Sequence, residues 1–380
     1  MNQIRAIDIR LLGKKRTGDE AVFFNLTKEI LALDKEHEYW LLTDESHAEV
    51  LAKLRDRLGC TGQRNVRFVT LLGKNRFVWN LLTMPWFLLR QRVDTYHTQY
   101  ILPFLVPRRT KVLLHIHDVS FRAYPEFIAW TDRLFLAMFI PRSLKRANVI
   151  LTPSQFTKDE IVHYYGTAPE KIAVIANAVS ADFLSSNQEG EQAVRERYNL
   201  PERFIIYVGT FQPRKNIPFL IRALAVVQQR LPEVNLVLVG DRHAHHVDPA
   251  IDGVIEELGM KDRVHFPGYV DQQDLPVVMR AATLFVFPSL YEGFGMPPLE
   301  AMSQGVPVLV SDIPCLKEVA GDAALYFDPT SIASCEKKLY TLLTDNDQRV
   351  SGVFRGRDQV SFFSWRKSAA TLMALYETLP

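Results

Sequence analysis

Phe287-Pro-Ser-Leu-Tyr-Glu292-Gly-Phe-Gly-Met-Pro-Pro-Leu-Glu300-Ala-Met-Ser-Gln-Gly305-Val-Pro-Val-Leu-Val-Ser311 is the stretch whose reading decides the fold. The apolar run 283–287 reads as a buried strand, being short and rich in β-branched and aromatic residues. Gly293 and Gly295 then break regular structure and leave backbone amides uncovered. Pro297 and Pro298 suit the first turn of a helix, where a missing N–H costs nothing. Gly305 ends that helix, and the run 306–310 is the next buried strand. Strand, open loop, helix and strand in this order bring bare N–H groups and a helix N-terminus to the carboxyl end of a strand. Open α/β sheets bind phosphate-bearing ligands at such places.

Glu292 and Glu300 bracket the loop. An ionised carboxylate is a pure hydrogen-bond acceptor and takes paired bonds from vicinal hydroxyls. Two of them around a phosphate cradle fit a ligand with phosphate in the middle and hydroxylated rings on both sides, the shape of a nucleotide sugar. Alone, Glu300 also reads as a carboxylate favouring the helix dipole, and Glu292 as a solvated loop charge. Together with Gly293-Phe-Gly-Met-Pro297 they read as a ligand site.

At 380 residues the chain is longer than one core usually supports, so two domains are expected. A hydrophobic content of 47% and a charged content of 23% describe an ordinary globular protein. The net charge of +2 is too small for nucleic acid as main partner. Cys60, Cys315 and Cys335 are scattered and lack metal spacing, which points to a reducing, cytoplasmic compartment. Met1-Asn-Gln-Ile-Arg5 enters a strand directly, with no signal-peptide apolar region. The most membrane-like segment, 76–92, is too short to span a bilayer. Its Trp79, Trp86 and flanking arginines suit a helix on a membrane surface, which leaves peripheral contact at the inner face open. Amphipathic helices usually face their own core, however, and packing on the N-terminal sheet is the expectation.

Residues 4–9 read as a first strand and 20–33 as a helix, with Val22, Leu26, Ile30 and Leu33 at helical spacing. Gly18, at the turn between them, is placed for a phosphate contact. Lys14, Lys15 and Arg16 read as a solvated turn. Strands at 38–43, 66–71, 93–97, 111–116 and 149–152 alternate with helical segments and argue a parallel sheet wound on both faces. His115 and His117 share one strand face, with His117 at its carboxyl end. The polar run 180–201 is the best linker. Phe204-Ile-Ile-Tyr-Val-Gly209 opens a second set of elements, and Arg214-Lys215 precedes a helix starting near Ile217. Cations there oppose the helix dipole unless an anion compensates. Asp241, His243, His245, His246 and Asp248 lack a fixed ligand spacing, and no metal site is expected from them.

These motifs resemble the retaining, GT-B-fold glycosyltransferases of family 4, the group 1 enzymes, whose signature is a Glu, seven residues and a second Glu. The resemblance covers nearly the whole chain. Gly18 occupies the place of the family's glycine-rich loop, with Asp19 and Glu20 replacing a more open version. His117-Asp118, followed by Phe121, Pro125 and Glu126, is similar to the family's acceptor-domain histidine segment and favours His117 over His115. Lys171-Ile-Ala-Val-Ile-Ala-Asn177-Ala-Val179 matches the strand and turn near the end of the first domain. Gly209 with Pro213-Arg-Lys-Asn216 matches the donor diphosphate loop, and Gly268-Tyr269-Val270 resembles the segment whose backbone meets the base.

The resemblance implies an α/β protein of GT-B fold, two Rossmann-like, doubly wound parallel-sheet domains facing a cleft. Residues 1–180 would form the acceptor domain and 181–361 the nucleotide-sugar donor domain, with the helix 362–380 packing back on the first. The implied reaction is retaining transfer of a hexose, mannose as first guess, from a nucleotide-diphosphate sugar. The acceptor would be a saccharide or lipid-linked saccharide, in glycan or polysaccharide biosynthesis. In the implied roles Arg214 and Lys215 neutralise the diphosphate and Glu300 holds the ribose. Glu292 orients the sugar with the amides of Phe294, Gly295 and Met296, while Gly209, Gly293, Tyr269 and Val270 complete the donor contacts. Gly18 adds a phosphate contact across the cleft, and His117 stabilises charge developing on the sugar. No cofactor and no metal are expected, because the basic pair and the helix N-terminus already serve that electrostatic task. The alternatives are a GT-B epimerase, a glycogen-synthase-like polymerase or a non-catalytic nucleotide-sugar-binding module. A nicotinamide dehydrogenase is disfavoured by the lack of a strand-to-helix Gly-x-Gly-x-x-Gly.

Overall fold

The structure, a computed structural model, describes residues 3–14, 18–73, 75–128, 130–184, 190–244 and 246–379. The chain divides into two units, Met1–Asn177 with Ser364–Pro380, and Ala178–Phe363. Each is a parallel sheet flanked by helices.

The first unit's strands are β1 (Ile4–Asp8), β2 (Glu38–Thr43), β3 (Val66–Thr70), β4 (Thr95–Gln99), β5 (Lys111–His115), β6 (Val149–Thr152) and β7 (Ile172–Val174). Their order is β3-β2-β1-β4-β5-β6-β7. Val112, Leu113 and Leu114 of β5 are all buried, as a strand covered on both faces requires. Strand order reverses between β1 and β4, which pair with Arg5 opposite Thr95. This is the crevice where doubly wound sheets take ligands. β4 lies two residues further on than the 93–97 expected, because its ladder with β5 runs from Thr95 opposite Lys111 to Gln99 opposite His115. The shift brings Gln99 to the carboxyl edge.

The second unit's strands are β8 (Phe204–Val208), β9 (Asn235–Val239), β10 (Val264–His265), β11 (Leu284–Phe287), β12 (Val308–Ser311) and β13 (Ala324–Phe327), in the order β10-β9-β8-β11-β12-β13. β8, β9, β11 and β12 are buried at every residue. Here the order reverses between β8 and β11, which pair with Leu284 opposite Ile205. The two motifs singled out in the sequence, 209–216 and 288–300, therefore leave adjacent strands at the switch point. Cys60, Cys315 and Cys335 are buried free thiols.

The terminal helix Trp365–Glu377 belongs to the first unit, where it packs on the helix Gly18–Leu33. Ser364 caps it by accepting from the Lys367 amide, and the Ser368 hydroxyl donates to the Ala176 carbonyl at 2.6 Å. Its far end is clamped by Arg5 on β1, whose guanidinium is fully buried. Arg5 pairs with Asp34 at 2.9 Å and with Glu377, donates to the Tyr39 hydroxyl at 3.1 Å and lies 4.8 Å from the Tyr376 ring centre. Removing one partner of a buried pair leaves the other charge uncompensated, at about 3 kcal/mol or more. Arg5→Leu is expected to lower the first unit's stability by about that amount, measured as an earlier urea midpoint with faster proteolysis near residue 364. An unchanged midpoint would show that the clamp contributes nothing.

Candidate functional site

The site in the second unit is built from two loops. After β8 comes Gly209, at φ +157°, where an added Cβ would lie 2.6 Å from the Tyr207 hydroxyl oxygen. That hydroxyl donates to the Thr210 carbonyl at 2.7 Å, so the close approach is part of the turn. Pro213–Lys215 then forms a single 3-10 turn, closed by the Asn216 amide on the Pro213 carbonyl at 3.0 Å. Asn216 takes a left-handed φ of 58°, a conformation Asn tolerates better than most residues, and its side-chain amide donates to the Pro329 carbonyl at 3.0 Å. The helix Ile217–Gln228 follows.

The second loop leaves β11 and ends at Gly295, at φ +98°, where an added Cβ would lie 2.6 Å from Leu316 Cδ2. Only glycine meets both demands. The Cys315 thiol donates to the Phe294 carbonyl at 3.2 Å and holds the loop from below. Pro297 and Pro298 stand in the first turn of the helix Met296–Ser303. The N–H groups of a first turn have no intrahelical partner and carry the positive end of the helix dipole. Glu300, on this helix, is buried.

Arg214, Lys215 and Glu292 join the loops. The Leu290 amide donates to the Arg214 carbonyl at 2.8 Å. Arg214 Nη1 donates to the Tyr291 carbonyl at 3.0 Å and lies 3.4 Å from Glu292 Oε2. Lys215 Nζ is hydrogen-bonded to Glu292 Oε1. Both Lys215 and Glu292 are 7% exposed. Burial opposes ionisation of Glu292, but the Lys215 and Arg214 charges outweigh it and hold the carboxyl below its ordinary value. Sequence reading assigned Glu292 to a sugar; the structure gives it a second role, as the anion that makes two neighbouring cations tolerable. Two cations and one carboxylate thus meet at the loop that leads into the helix Met296–Ser303. That arrangement suits a diphosphate.

The other expected donor contacts are more dispersed. Gly293 and Met296 lie on the second loop and its helix start. Tyr269 and Val270 follow β10, the first 77% exposed and the second buried. In the first unit, Gly18 opens the helix Gly18–Leu33 beyond β1, and His117 follows β5. His117 Nε2 pairs with Gln99 Oε1 at 2.9 Å, and its ring stacks on His115 at 4.3 Å and meets Phe23 of that helix at 5.9 Å. His115 is wholly buried, and burial followed by the neighbouring histidines drives its pKa well below the ordinary value. Sequence reading missed His97 and Gln99 of β4. His97 stacks on His115 and bonds the Tyr376 hydroxyl at 2.9 Å. The signal was there in Thr95-Tyr-His97-Thr-Gln99, whose alternate residues share a face. Lys15, Arg16 and His245 lie outside the described residues, as does 185–189 of the expected linker. Lys14 pairs with Asp44 at 2.7 Å.

Known families match both halves: "Glycosyltransferase Family 4" over residues 17–183 and "Glycosyl transferases group 1" over 189–358. The O-antigen chain mannosyltransferase B of Escherichia coli is 32% identical over 73% of this chain and 73% of its own length. The chain belongs to the group 1 glycosyltransferases. The O-antigen chain mannosyltransferase RfbU of Salmonella typhimurium is 29% identical over 71% of this chain and 69% of its own. Among solved structures, Anabaena HepE in complex with UDP-glucose superposes with a TM-score of 0.76 at 17% identity, covering 100% of both chains. The fold is GT-B, and the protein is a glycosyltransferase. Nothing in these relatives supports an epimerase. Among the described residues no helix is long and apolar enough to cross a membrane.

Because the folded pKa of Glu292 is depressed, the stability its ionised form contributes is present above its ordinary value of 4.5. It is lost as pH falls through the lower folded value. Glu292→Gln is expected to cost about 3 kcal/mol near pH 7, with the difference from wild type closing in acid below that window. Equal melting temperatures for the two proteins at pH 7 would contradict this account of the ion pair.

Proposed function

We propose that this group 1 glycosyltransferase moves a mannosyl residue from a nucleotide-diphosphate donor to a saccharide or lipid-linked saccharide, with retention of configuration. The observation that carries the donor half is the Arg214–Lys215–Glu292 cluster at the switch point, beside the N-terminus of Met296–Ser303. Mannose is supported by the names of the O-antigen mannosyltransferases to which the chain is similar, and the polysaccharide setting by the same names.

In the proposed reaction the bond from the sugar's anomeric carbon to the diphosphate oxygen breaks, and its electron pair stays on that oxygen. Arg214, Lys215 and the first-turn amides stabilise the growing charge, which is where preorganised donors accelerate a reaction most. The acceptor hydroxyl oxygen attacks the anomeric carbon from the face the diphosphate leaves, and its proton passes to the departing phosphate. No protein base is then needed. Glu300 takes the ribose hydroxyls, while Glu292 holds the cations and keeps acceptor capacity toward the sugar, because a carboxylate offers about four lone-pair sites. The first unit is assigned the acceptor, with Gly18 proposed as a phosphate contact and His117 as the group that stabilises charge developing on the sugar. Gln99 would fix the ring of His117, and a lipid-borne acceptor would bring the enzyme to a membrane surface.

Lys215→Ala tests the assignment. Loss of one electrostatic donor to a developing oxyanion lowers turnover by roughly a hundred- to a thousandfold. That loss is expected here, with the acceptor's KM little changed, in an assay of mannosyl transfer. Unchanged turnover would refute the role.

A further inference from the structure

Among the described residues, seventeen large apolar side chains stand exposed, and eleven of them lie in three segments of the first unit. From residues 72–92 come Leu72, Phe77, Leu81, Leu82, Trp86 and Leu89; from 101–109, Phe104 and Leu105; from 130–146, Trp130, Leu134 and Met138. The segments form one surface. Phe77 meets Phe135 edge-on at 5.2 Å, and Arg76 pairs with Asp132 at 2.7 Å. The Phe104 amide donates to the Asn80 carbonyl at 2.7 Å, and Arg142 lies 4.6 Å from the Phe104 ring centre. Arg109 reaches back to the Leu88 and Leu89 carbonyls at 3.1 and 3.0 Å.

The expectation that 76–92 packs on its own sheet holds for one face only. Trp79, Met84, Phe87 and Leu88 enter the core, while Leu81, Leu82, Trp86 and Leu89 face outward. Trp130, Leu134 and Met138, four apart, make a parallel outward stripe on the helix Trp130–Arg146. Exposed apolar side chains clustered in this way mark interaction sites.

Charge selects the occupant. The three segments hold ten Lys or Arg and one acidic residue, a net +9 within a chain whose total is +2. The one acid, Asp132, is already paired with Arg76. A second copy would set like charge against like, and protein interface cores are depleted of charge. Exposed Trp, Phe and Leu with arginines at their edges, as Arg90 lies 4.4 Å from the Trp86 ring centre, match an anionic bilayer surface. We propose that this face of the first unit docks in the headgroup layer of an anionic membrane, its apolar side chains below the phosphates and its arginines among them. The proposal deepens the lipid-linked acceptor reading but rests on this surface alone.

The test is sedimentation of the full chain with vesicles of phosphatidylglycerol and phosphatidylcholine, or of phosphatidylcholine alone, at low and high salt. Binding to the anionic vesicles, weakened by salt, is expected. A Leu82→Ser, Trp86→Ser, Leu89→Ser variant should lose at least about tenfold in partitioning, and Arg90→Glu with Arg92→Glu should lose the salt-sensitive part. Both should keep the wild-type melting temperature and nucleotide-sugar affinity, since all five substituted residues belong to the first unit and none to the proposed donor site. Absence of binding at low salt, equal binding to neutral vesicles, or unchanged binding by both variants would overturn the proposal. So would a concentration-dependent dimer that the triple variant abolishes, which would assign the face to a second copy. Loss of nucleotide-sugar binding in wild type would instead count against the donor site.

Discussion

The contact on which the second unit's proposed site depends is a buried one, in which Lys215 and Arg214 from the β8 loop meet Glu292 from the β11 loop. Two adjacent cations at the start of a helix are unfavourable by themselves, since they repel each other and oppose its dipole. Glu292 removes that cost and ties together two chain segments that are 77 residues apart. The topology makes the meeting possible, because β8 and β11 are neighbours at the point where strand order reverses. A burial cost that ordinarily forbids such groups becomes tolerable.

Much of this was legible in the sequence. The strand–loop–helix–strand pattern of 283–311, with its glycines and paired prolines, gave the local structure nearly as observed, because turn chemistry and helix starts are local properties. Pro213-Arg-Lys-Asn216 likewise placed the basic pair. What was not legible was which groups face each other. Glu292 read as a sugar ligand because one-dimensional spacing carries no information about a partner in a different loop. Gln99 fell outside the strand expected at 93–97, and His97 was passed over because the polar residues of β4 mask its alternation. Arg5 gave no hint of its role, as its partners Asp34 and Glu377 lie far along the chain.

The 76–92 segment shows a different limit. Hydrophobic periodicity assigns one apolar face to a helix and assumes that it faces the core. Here apolar residues occupy two faces, interrupted by a π-helical turn at Trp79–Thr83, and only the structure separates the set that packs inward from the set left outside. The two units thus divide the demands on the chain. One presents an apolar and basic surface together with a histidine cluster at its sheet edge; the other concentrates cations at its switch point, the place proposed for the donor's diphosphate.

The central claim is that Lys215 and Glu292 act as a unit. The direct test is a double-mutant cycle, Lys215→Met and Glu292→Gln singly and together, measured by calorimetry as affinity for a nucleoside diphosphate. Contacting groups of this kind couple by about 1 to 3 kcal/mol, and a coupling in that range is the predicted result. Additive effects, within about 0.5 kcal/mol, would mean that the two residues work independently, and the account of the site would fail.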